Sequence, residues 1–589
     1  MLRRAVIFGI IGAGIVSTGI SLHGNDYNVN SLGIVRLGRS AVTVFDVALT
    51  YKRELFYREW DKTSLEYKAE KSRVHKIAAE KLLQLICTNK GVYIKVGQHI
   101  GALEYLLPLE FVQTMKVLHY DAPQNPIEDL YKVIRQDLKK DFNEIFISFD
   151  AEPLGTASLA QVHKATLKTG EVVAVKVQHP YVKGNSLVDM KTMEFMVNIM
   201  AHVFPDFKIK WLVEESKKNL PIELNFINEG KNAEKIAKQF SQFKWLRVPK
   251  IYWDLCSPRV LVMEYLEGGH VNDLNYIEKN KIDPFFVSNK IGQIYSEMIF
   301  KTGFVHSDPH PGNILVNKTA TGNTEIILLD HGLYANLTER FRYEYSKLWL
   351  SILNVDREAM REHSTNLGIR SDLYGLFACM VTGRPWDTVM RGVGTVKYNK
   401  EEKNTLQNNT SLVLPNISDV LEQVDRQMLL ILKTNDLIRG IEATLRTQNR
   451  MTAFWVMSKC CINSTFTVQK RMQNSRIARF RLVLKEKWEI FKLNVYYLYL
   501  GLVNFELMAA AKAEKYLTHS EYTYITNIFN ADNACRNIVL TMNQSHITQA
   551  TQSSQYYLKQ NMAYWKHISL NKMGNHRYII LNNLGITWV

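Results

Sequence analysis

The sequence predicts an α+β fold of two lobes, the first rich in strands and the second rich in helices. Two apolar segments, 160–167 and 171–177, flank a short turn at 168–170, which is the pattern of a β-hairpin. A third apolar segment, 259–265, has the composition of a buried strand, and the chain beyond Asp330 has mostly helical periodicity. Helical patterns also precede the strands, so we expect a helical extension before the two lobes and extra helices after them.

The chain is too long for one small core, which favours a large unit with additions. Changes of composition and pattern along the chain indicate five segments. They are a targeting sequence or membrane anchor at 1–31, a helical extension at 32–140, a strand-rich lobe at 141–268, a helix-rich lobe at 269–470, and a C-terminal helical region with a polar tail at 471–589.

The N-terminus has the composition of a targeting segment. Arg3 and Arg4 precede an uncharged apolar run at 5–22, and no acid occurs before Asp26. The run is at the lower limit of length for crossing a bilayer, so it fits either a mitochondrial presequence or a short anchor. A secretory signal is the alternative, but the six scattered cysteines form no C-x-x-C pair and suggest buried thiols in a reducing compartment. We expect a mitochondrial protein associated with the inner membrane.

The chain carries 73 Lys and Arg against 57 Asp and Glu, a formal net charge of +16. Such an excess fits nucleic acid, an anionic membrane or a mitochondrial address. The sequence has neither a zinc-ligand pattern nor basic segments interleaved with stacking aromatics. We therefore expect a membrane partner and no nucleic acid.

Two loops carry the residues of a phosphoryl-transfer site. The segment 304–316 reads FVHSDPHPGNILV, with Asp308 five residues before Asn313, and 328–333 reads LLDHGL, with Asp330 after an apolar run. Protein kinases use a loop Asp near the acceptor and an Asn and a second Asp to hold metal on the ATP phosphates. We therefore predict Asp308 as the base or acceptor-orienting residue, and Asn313 and Asp330 as oxygen ligands of Mg²⁺. Turn-forming residues without a ligand are the alternative, which leaves the apolar runs beside both loops unexplained.

Lys176 ends a Val-Ala-Val-Lys string on the second strand of the hairpin. In a kinase-like lobe this lysine neutralises the inner phosphates of ATP and is held by a helix glutamate, for which Glu229 is the candidate. The alternative is a lysine that keeps an edge strand soluble. The backbone of Glu264 and Tyr265 fits the hinge that would meet adenine.

A glycine-rich phosphate loop is missing before the hairpin. Its place is taken by Gly155, Thr156, Ala157 and Ser158, which we predict to contact the nucleotide. Glycines allow the backbone to approach phosphate closely, and most are replaced here by residues with a Cβ. The nucleotide contact should therefore be altered rather than lost.

Together with these motifs, a Lys-x-Gly-Gln string at 95–98 and a segment at 432–442 make the sequence resemble the UbiB, or aarF-domain, family of atypical kinases. The resemblance covers about 32–516 and is greatest to a mitochondrial branch. It implies a two-lobed protein-kinase-like fold that binds ATP and Mg²⁺, with a role in mitochondrial lipid or quinone homeostasis and mitochondrial maintenance.

The resemblance also implies that the helix of Lys95 and Gln98 folds over the active site, where both residues line the nucleotide pocket. Gly97 would let this helix sit close to the lobe. Because the helix occupies the place of a protein substrate, the resemblance favours a small or membrane-held acceptor.

Two positions depart from the family pattern. Asn225 replaces an Asp of a Glu-x-Asp pair that begins at Glu223, and Gly155 stands where Ala is frequent. Asn keeps an acceptor oxygen but loses the charge. These departures leave a second function open, a nucleotide-sensing pseudokinase scaffold that regulates a protein partner without phosphotransfer. A secreted kinase-like protein is a third hypothesis.

A basic stretch at 471–487 precedes an apolar and aromatic stretch at 490–505. This order is typical of a helix at an anionic membrane surface, and also of a core helix with a solvated basic end. We prefer the core helix, because a kinase lobe needs apolar helices to cover it.

Overall fold

A computed structural model of the chain describes residues 32–57, 59–61, 64–101, 107–119, 124–203, 210–307, 310–392, 420, 423–447 and 452–514. The predicted α+β fold with two kinase-like lobes and extra helices is confirmed. The proposed N-terminal anchor and polar tail lie outside these residues. The predicted domain boundaries stay predictions.

The N-terminal extension consists of helices α1 to α4. Their bounds are α1 Gly33–Tyr51, α2 Leu65–Asn89, α3 Val92–Gly101 and α4 Leu109–Met115. The Ser64 hydroxyl caps α2 by accepting a hydrogen bond from the Tyr67 amide at 3.1 Å. Buried apolar residues of α2, α3 and α4 share one core with apolar residues of the strand-rich lobe, so the extension packs on that lobe. The lobe residues in this core are Leu159, Val182, Met190, Met193, Val213, Leu220 and Leu224.

Gly97 of α3 belongs to that core. A Cβ at this position would lie 2.4 Å from Leu118 Cδ1 and 3.0 Å from Ile86 Cδ1. The expectation that Gly97 brings α3 close to the lobe is therefore wrong. The close approach that requires glycine is made within the extension itself.

The small lobe is built on a five-stranded antiparallel sheet. The strand order is β1-β3-β4-β6, and β2 pairs with β3 on the same edge as β1. The elements are α5 Ile127–Leu138, α6 Phe142–Ile145, β1 Phe146–Phe149, β2 Gly155–Thr156, β3 Ala160–Leu167, β4 Val172–Gln178, α7 Val182–Val203, α8 Lys210–Glu223, α9 Phe226–Gln239, β5 Leu246–Arg247 and β6 Val260–Glu264. The predicted hairpin is β3 and β4.

Lys176 lies inside this sheet. It is opposite Val162 of β3 and Leu261 of β6, so β4 has a hydrogen-bonded neighbour on both sides. The interpretation of Lys176 as an edge-strand lysine is therefore wrong.

The large lobe begins with short strands and continues with helices. A mixed sheet has the order β5-β10-β9-β7, and β8 pairs with β11. The elements are β7 Gly269–His270, α10 Leu274–Lys279, α11 Pro284–Ser296, β8 Phe304–His306, β9 Ile314–Lys318, β10 Thr324–Leu328, β11 Tyr334–Asn336, α12 Glu339–Leu353, α13 Arg357–Asn366, α14 Tyr374–Thr382, α15 Trp386–Arg391, α16 Arg426–Thr444 and α17 Thr452–Met472.

Helix α11 delivers the chain to the predicted catalytic loop. Asp283 accepts a hydrogen bond from the Phe285 amide at 2.9 Å, and Pro284 occupies the first turn. A π-helical turn, Glu297–Thr302, follows, and Gly303 with a φ of 70° ends it. The next residue starts β8.

The last described helix is α18, Arg476–Glu514. The chain divides into two compact units, 1–497 and 498–589, and only 498–514 of the second are described, as helix. The predicted core stretch is 490–505, and its side chains are described as far as 495. Phe491 and Val495 are exposed and Ile490 and Leu493 are half-buried, so the interpretation of a core helix is wrong for one face of this part. In the described part of the chain, no helix combines the length and the apolar character needed to cross a membrane.

Candidate functional site

Lys176, Glu229 and Asp330 come together from three separate elements. Lys176 Nζ lies 2.6 Å from Glu229 Oε1 of α9 and 3.7 Å from Asp330 Oδ1 in the loop after β10. The Glu229 side chain is buried, that of Lys176 is largely buried, and that of Asp330 is partly exposed. One cation is thus shared by two carboxylates, of which Asp330 is the one accessible to solvent.

Burial and charge set the protonation of these groups. Burial alone would lower the pKa of Lys176, but the Asp330 and Glu229 carboxylates outweigh it and raise that pKa. Burial would raise the pKa of Asp330, yet Lys176 and His306 hold it well below its usual range. For Glu229, burial outweighs Lys176 and raises the pKa to about 7. At neutral pH the site therefore presents a charged lysine beside an ionised Asp330.

Asp330 is fixed by its own loop. The Gly332 amide donates to Asp330 Oδ1 at 2.8 Å, and His306 Nε2 donates to the Asp330 carbonyl at 2.7 Å. His331 Nε2 donates to the Leu328 carbonyl at 3.1 Å, and burial lowers the pKa of His331 to about 3. Both histidines shape this loop through hydrogen bonds to its backbone.

The two predicted metal ligands are neighbours. Asn313 ends a short 3₁₀ turn, Pro311–Asn313, and its Nδ2 lies 3.5 Å from Asp330 Oδ2. A rotated Asn313 amide would present an oxygen beside the carboxylate, and Mg²⁺ is commonly held by one or two such side chains plus phosphate oxygens. These residues fit Mg²⁺. Among the described residues, no group of three or more His, Cys, Asp or Glu side chains could hold a metal.

Asp308, the predicted base, lies outside the described residues together with Pro309. Its flanks are described, with β8 ending at His306 and the turn beginning at Pro311. Its role stays a prediction.

A tight turn replaces the glycine-rich loop. The Ala157 amide donates to the Ala160 carbonyl at 2.8 Å, and Ser158 is buried. His179 at the end of β4 holds the turn twice, because its Nε2 donates to the Ala157 carbonyl at 3.1 Å and its amide to the Leu159 carbonyl at 2.9 Å. Sequence reasoning missed His179, which no spacing rule connects with this turn.

Gly155 lies before this turn, in β2. A Cβ on Gly155 would meet nothing within 4 Å, so the departure from Ala has no steric consequence.

These groups surround a cavity of about 40 Å³. It is lined by Lys95, Ala157, Ser158, Leu159, Ala160, Lys176, Glu223, Phe226, Glu229, His306, Asp330, Gly332 and Leu333. Ligand pockets usually enclose about 300–1,000 Å³, so this cavity is smaller than a typical ligand pocket. Gly155, Thr156, Gln98, Asn313, Glu264 and Tyr265 lie outside its lining.

Helix α3 contributes Lys95 to the cavity. Lys95 Nζ lies 2.9 Å from Glu223 Oε2 at the end of α8, and both side chains are largely buried. Gln98 instead donates from Nε2 to the Leu118 carbonyl at 2.9 Å, inside the extension. The structure thus brings Lys95 to the site and directs Gln98 to another contact.

Glu264 and Tyr265 use their amides within the small lobe. The Glu264 amide donates to the Lys250 carbonyl at 2.8 Å, and the Tyr265 amide lies 3.4 Å from the Val172 carbonyl. The Glu264 carboxylate accepts from Arg247 at 3.0 Å. Backbone contact with adenine through these residues would use their carbonyls, and it stays a prediction.

Asn225 has a structural explanation. Its Oδ1 accepts a hydrogen bond from the Ile227 amide at 3.2 Å and caps α9, the helix of Glu229. Asn and Asp serve about equally well at an N-cap. The charge opposite Lys95 comes from Glu223, for which sequence reasoning had proposed no role.

Comparison with known proteins places the chain among kinase-like sequences. A model described as the ABC1 atypical kinase-like domain matches residues 117–364. AarF domain-containing kinase 1 of Drosophila melanogaster is 76% identical over 516 residues, 87% of this chain and 99% of that protein. AarF domain-containing protein kinase 1 of Mus musculus is 48% identical over 82% of this chain and 92% of that protein.

A more distant likeness is to the solved complex of Rv3197 with erythromycin from Mycobacterium tuberculosis. It is 22% identical, covers 65% of this chain and 95% of that one, and has a TM-score of 0.38.

Proposed function

The chain belongs to the ABC1/AarF family of atypical kinases, and from this premise we propose that it binds ATP with Mg²⁺ and transfers or hydrolyses the γ-phosphate. The observation that carries the proposal is the meeting of Lys176, Glu229 and Asp330 at one cavity, with Asn313 beside Asp330. These side chains come from four separate stretches of the chain. A lysine paired with a helix glutamate next to an Asp and an Asn is the arrangement that phosphoryl transfer by kinases requires.

Each residue has a defined part in this proposal. Mg²⁺, when bound, neutralises negative charge on the phosphates. Asp330 and Asn313 would hold it, and the Gly332 amide keeps the Asp330 carboxylate in place. Lys176 would bind phosphate oxygens, oriented by Glu229 at 2.6 Å. Asp308 would orient the acceptor hydroxyl or water.

The acceptor we propose is small or membrane-held. Helix α3 places Lys95 in the cavity lining and is tied to α8 by the Lys95–Glu223 ion pair. As the family resemblance implies, such a cover would take the space in which an extended polypeptide would have to lie. A role in mitochondrial lipid or quinone homeostasis and mitochondrial maintenance is consistent with such an acceptor.

The proposed compartment is the mitochondrion, with attachment to the inner membrane. Its support is the basic and apolar N-terminal segment. Imaging of a C-terminally tagged chain against a mitochondrial marker, followed by carbonate extraction of isolated mitochondria, tests both parts. A tag found in the secretory pathway would refute the proposal.

The test of nucleotide chemistry compares wild type with Asp330→Asn. We expect the substitution to lower Mg²⁺-dependent ATP affinity and turnover by about 100-fold or more, because it removes the negative charge of the carboxylate beside Asn313. Asp372→Asn is the matched control, since Asp372 is exposed and pairs with Arg370 on the surface. Equal binding and turnover in wild type and Asp330→Asn would reject the proposal.

A second candidate function is a nucleotide-sensing scaffold that changes partners without phosphotransfer. The observation in its favour is the small volume of the cavity, about 40 Å³, which makes nucleotide entry and a change of shape one event. In this case the wild type would bind Mg²⁺-ATP without turnover, and Asp308→Ala would rescue a knockout. Loss of rescue at normal abundance would favour catalysis.

A further inference from the structure

The first half of α18, residues 476–495, has an apolar face directed to solvent. Six large side chains on it are between 43% and 69% exposed. They are Ile477, Phe480, Leu484, Trp488, Phe491 and Val495. Single exposed apolar residues are common on proteins, but a contiguous row of this length marks a contact surface.

The row lies in one narrow sector of the helix. At about 100° per residue, the six positions fall within about 80° of one another. The opposite side faces the protein, with Leu482, Ile490 and Leu493 half-buried and Glu486 buried. Lys470 of α17 holds this side through an ion pair with Glu486 at 2.8 Å. The helix is thus attached by one side while its apolar face points away.

Positive charge borders the apolar row on both edges. Arg481, Lys485 and Lys492 follow one edge, and Arg476 and Lys487 follow the other. The acids within 476–495 are Glu486 and Glu489. Glu486 pairs with Lys470 on the protein side, and Glu489 pairs with Lys492 at 2.7 Å. The outward surface is therefore apolar in the centre and basic at the margins.

A second copy of the helix fits this face poorly. In the heptad that sets Ile477, Leu484 and Phe491 at position d, the flanking e and g positions carry Lys485, Lys487 and Lys492. Two copies would therefore bring like charges together along the edges of the seam. A lipid surface needs only a continuous apolar sector with cations at its margins. The apolar side chains contact the acyl chains, and the cations contact the anionic headgroups.

We infer that residues 476–495 of α18 bind the surface of an anionic phospholipid bilayer, with the helix axis parallel to the membrane. Phe480, Trp488 and Phe491 enter the headgroup region, and Arg481 and Lys485 contact lipid phosphates. This inference is independent of the proposed nucleotide chemistry, since it rests on a different element.

The test uses the purified full chain and two vesicle types, phosphatidylcholine alone and phosphatidylcholine mixed with phosphatidylglycerol. We expect flotation with the anionic vesicles and its loss at high salt. Phe480→Ser with Phe491→Ser should lower the partition coefficient about tenfold or more, because two large apolar contacts are removed. Arg481→Gln with Lys485→Gln should lower it about 25-fold at low salt, at about fivefold for each charge.

Matched controls come from the small lobe. Ile147→Ser with Leu154→Ser removes two exposed apolar side chains, and Lys140→Gln with Lys168→Gln removes two exposed charges. Both should bind as the wild type does. Thermal unfolding of all variants shows whether each one is folded. If the Phe480→Ser and Phe491→Ser variant is unfolded, the Arg481→Gln and Lys485→Gln variant decides the test.

Three outcomes would overturn the inference. The first is absence of the wild type from the anionic vesicle fraction. The second is flotation of the α18 variants to the same extent as the wild type, which would assign membrane contact to another element. Self-association of the wild type that disappears in the Phe480 and Phe491 variant, measured by sedimentation equilibrium, would assign the face to a second copy.

Discussion

Two lysine–glutamate pairs face the same cavity, one within the small lobe and one that joins the N-terminal extension to α8. Lys176 and Glu229 are 2.6 Å apart, and Lys95 and Glu223 are 2.9 Å apart. Asp330 lies 3.7 Å from Lys176 and places a third charge at the first pair. Identical residue types therefore differ in role: one pair is set beside a candidate metal ligand, and the other joins two helices.

The two lysines also differ in the secondary structure that holds them. Lys176 lies on β4 between two hydrogen-bonded strands, which fixes its position in the lobe. Lys95 lies on α3, whose packing is largely with the other helices of the extension. The lobe thus determines the place of Lys176, whereas the place of Lys95 depends on how the extension packs.

The largest effect is expected from Lys176→Met. It removes the cation that would bind phosphate and leaves Glu229 and Asp330 close together without it, so ATP affinity should fall about 100-fold, or ~2.7 kcal/mol. Nucleotide titration in the presence of Mg²⁺ measures this. Lys168→Met, on the exposed turn of the same hairpin, is the control and should bind normally. An affinity loss in Lys95→Met as large as that in Lys176→Met would remove the distinction between the pairs.

A smaller effect, on stability, is expected from Gly97→Ala in the extension. The added Cβ would meet Leu118 at 2.4 Å, and relieving that clash should cost about 1–3 kcal/mol of unfolding free energy. Gly38→Ala in α1 is the control, because a Cβ there meets nothing within 4 Å and alanine favours helix by about 1 kcal/mol. The urea concentration at the midpoint of unfolding should fall for Gly97→Ala and rise for Gly38→Ala. A rise for both variants would show that α3 does not pack as described.

The smallest effect is expected from Glu223→Gln. The amide keeps a hydrogen-bond acceptor for Lys95, so stability should change by about 1 kcal/mol and ATP affinity by less than about tenfold. Glu229→Gln makes the matched comparison at the other pair, where it weakens the orientation of Lys176 and should reduce turnover by more than Glu223→Gln does. Steady-state kinetics of both variants measure the two losses of turnover. A larger loss in Glu223→Gln than in Glu229→Gln would contradict the roles given to the pairs.

Residues that start and end helices, and alternating apolar residues in strands, made several elements predictable. Asp283, Pro284 and Gly303 predicted the bounds of α11 with its π-helical turn, and alternating apolar residues predicted the β3–β4 hairpin. The spacing of Asn313 and Asp330, with Lys176 on a strand and Glu229 on a helix, predicted a set of residues that the structure brings together. Their catalytic and metal-binding roles stay predictions.

The errors share one cause. Gln98 was expected in the nucleotide pocket but donates to the Leu118 carbonyl. Gly97 was expected against the lobe but faces Leu118 and Ile86, and α18 was expected in the core but exposes Phe491 and Val495. Periodicity shows which residues share a face of a helix, but it does not show what that face contacts.

By itself the sequence determined the order of the elements, the family, and the residue types available for phosphoryl transfer. Hydrogen bonding and apolar periodicity act over a few residues, so they can be read locally. Only the tertiary structure decided that Glu223 pairs with Lys95, that the cavity is small, and that the apolar face of α18 is exposed. These features depend on distances between segments far apart in the chain, which are set by the packing of the whole molecule.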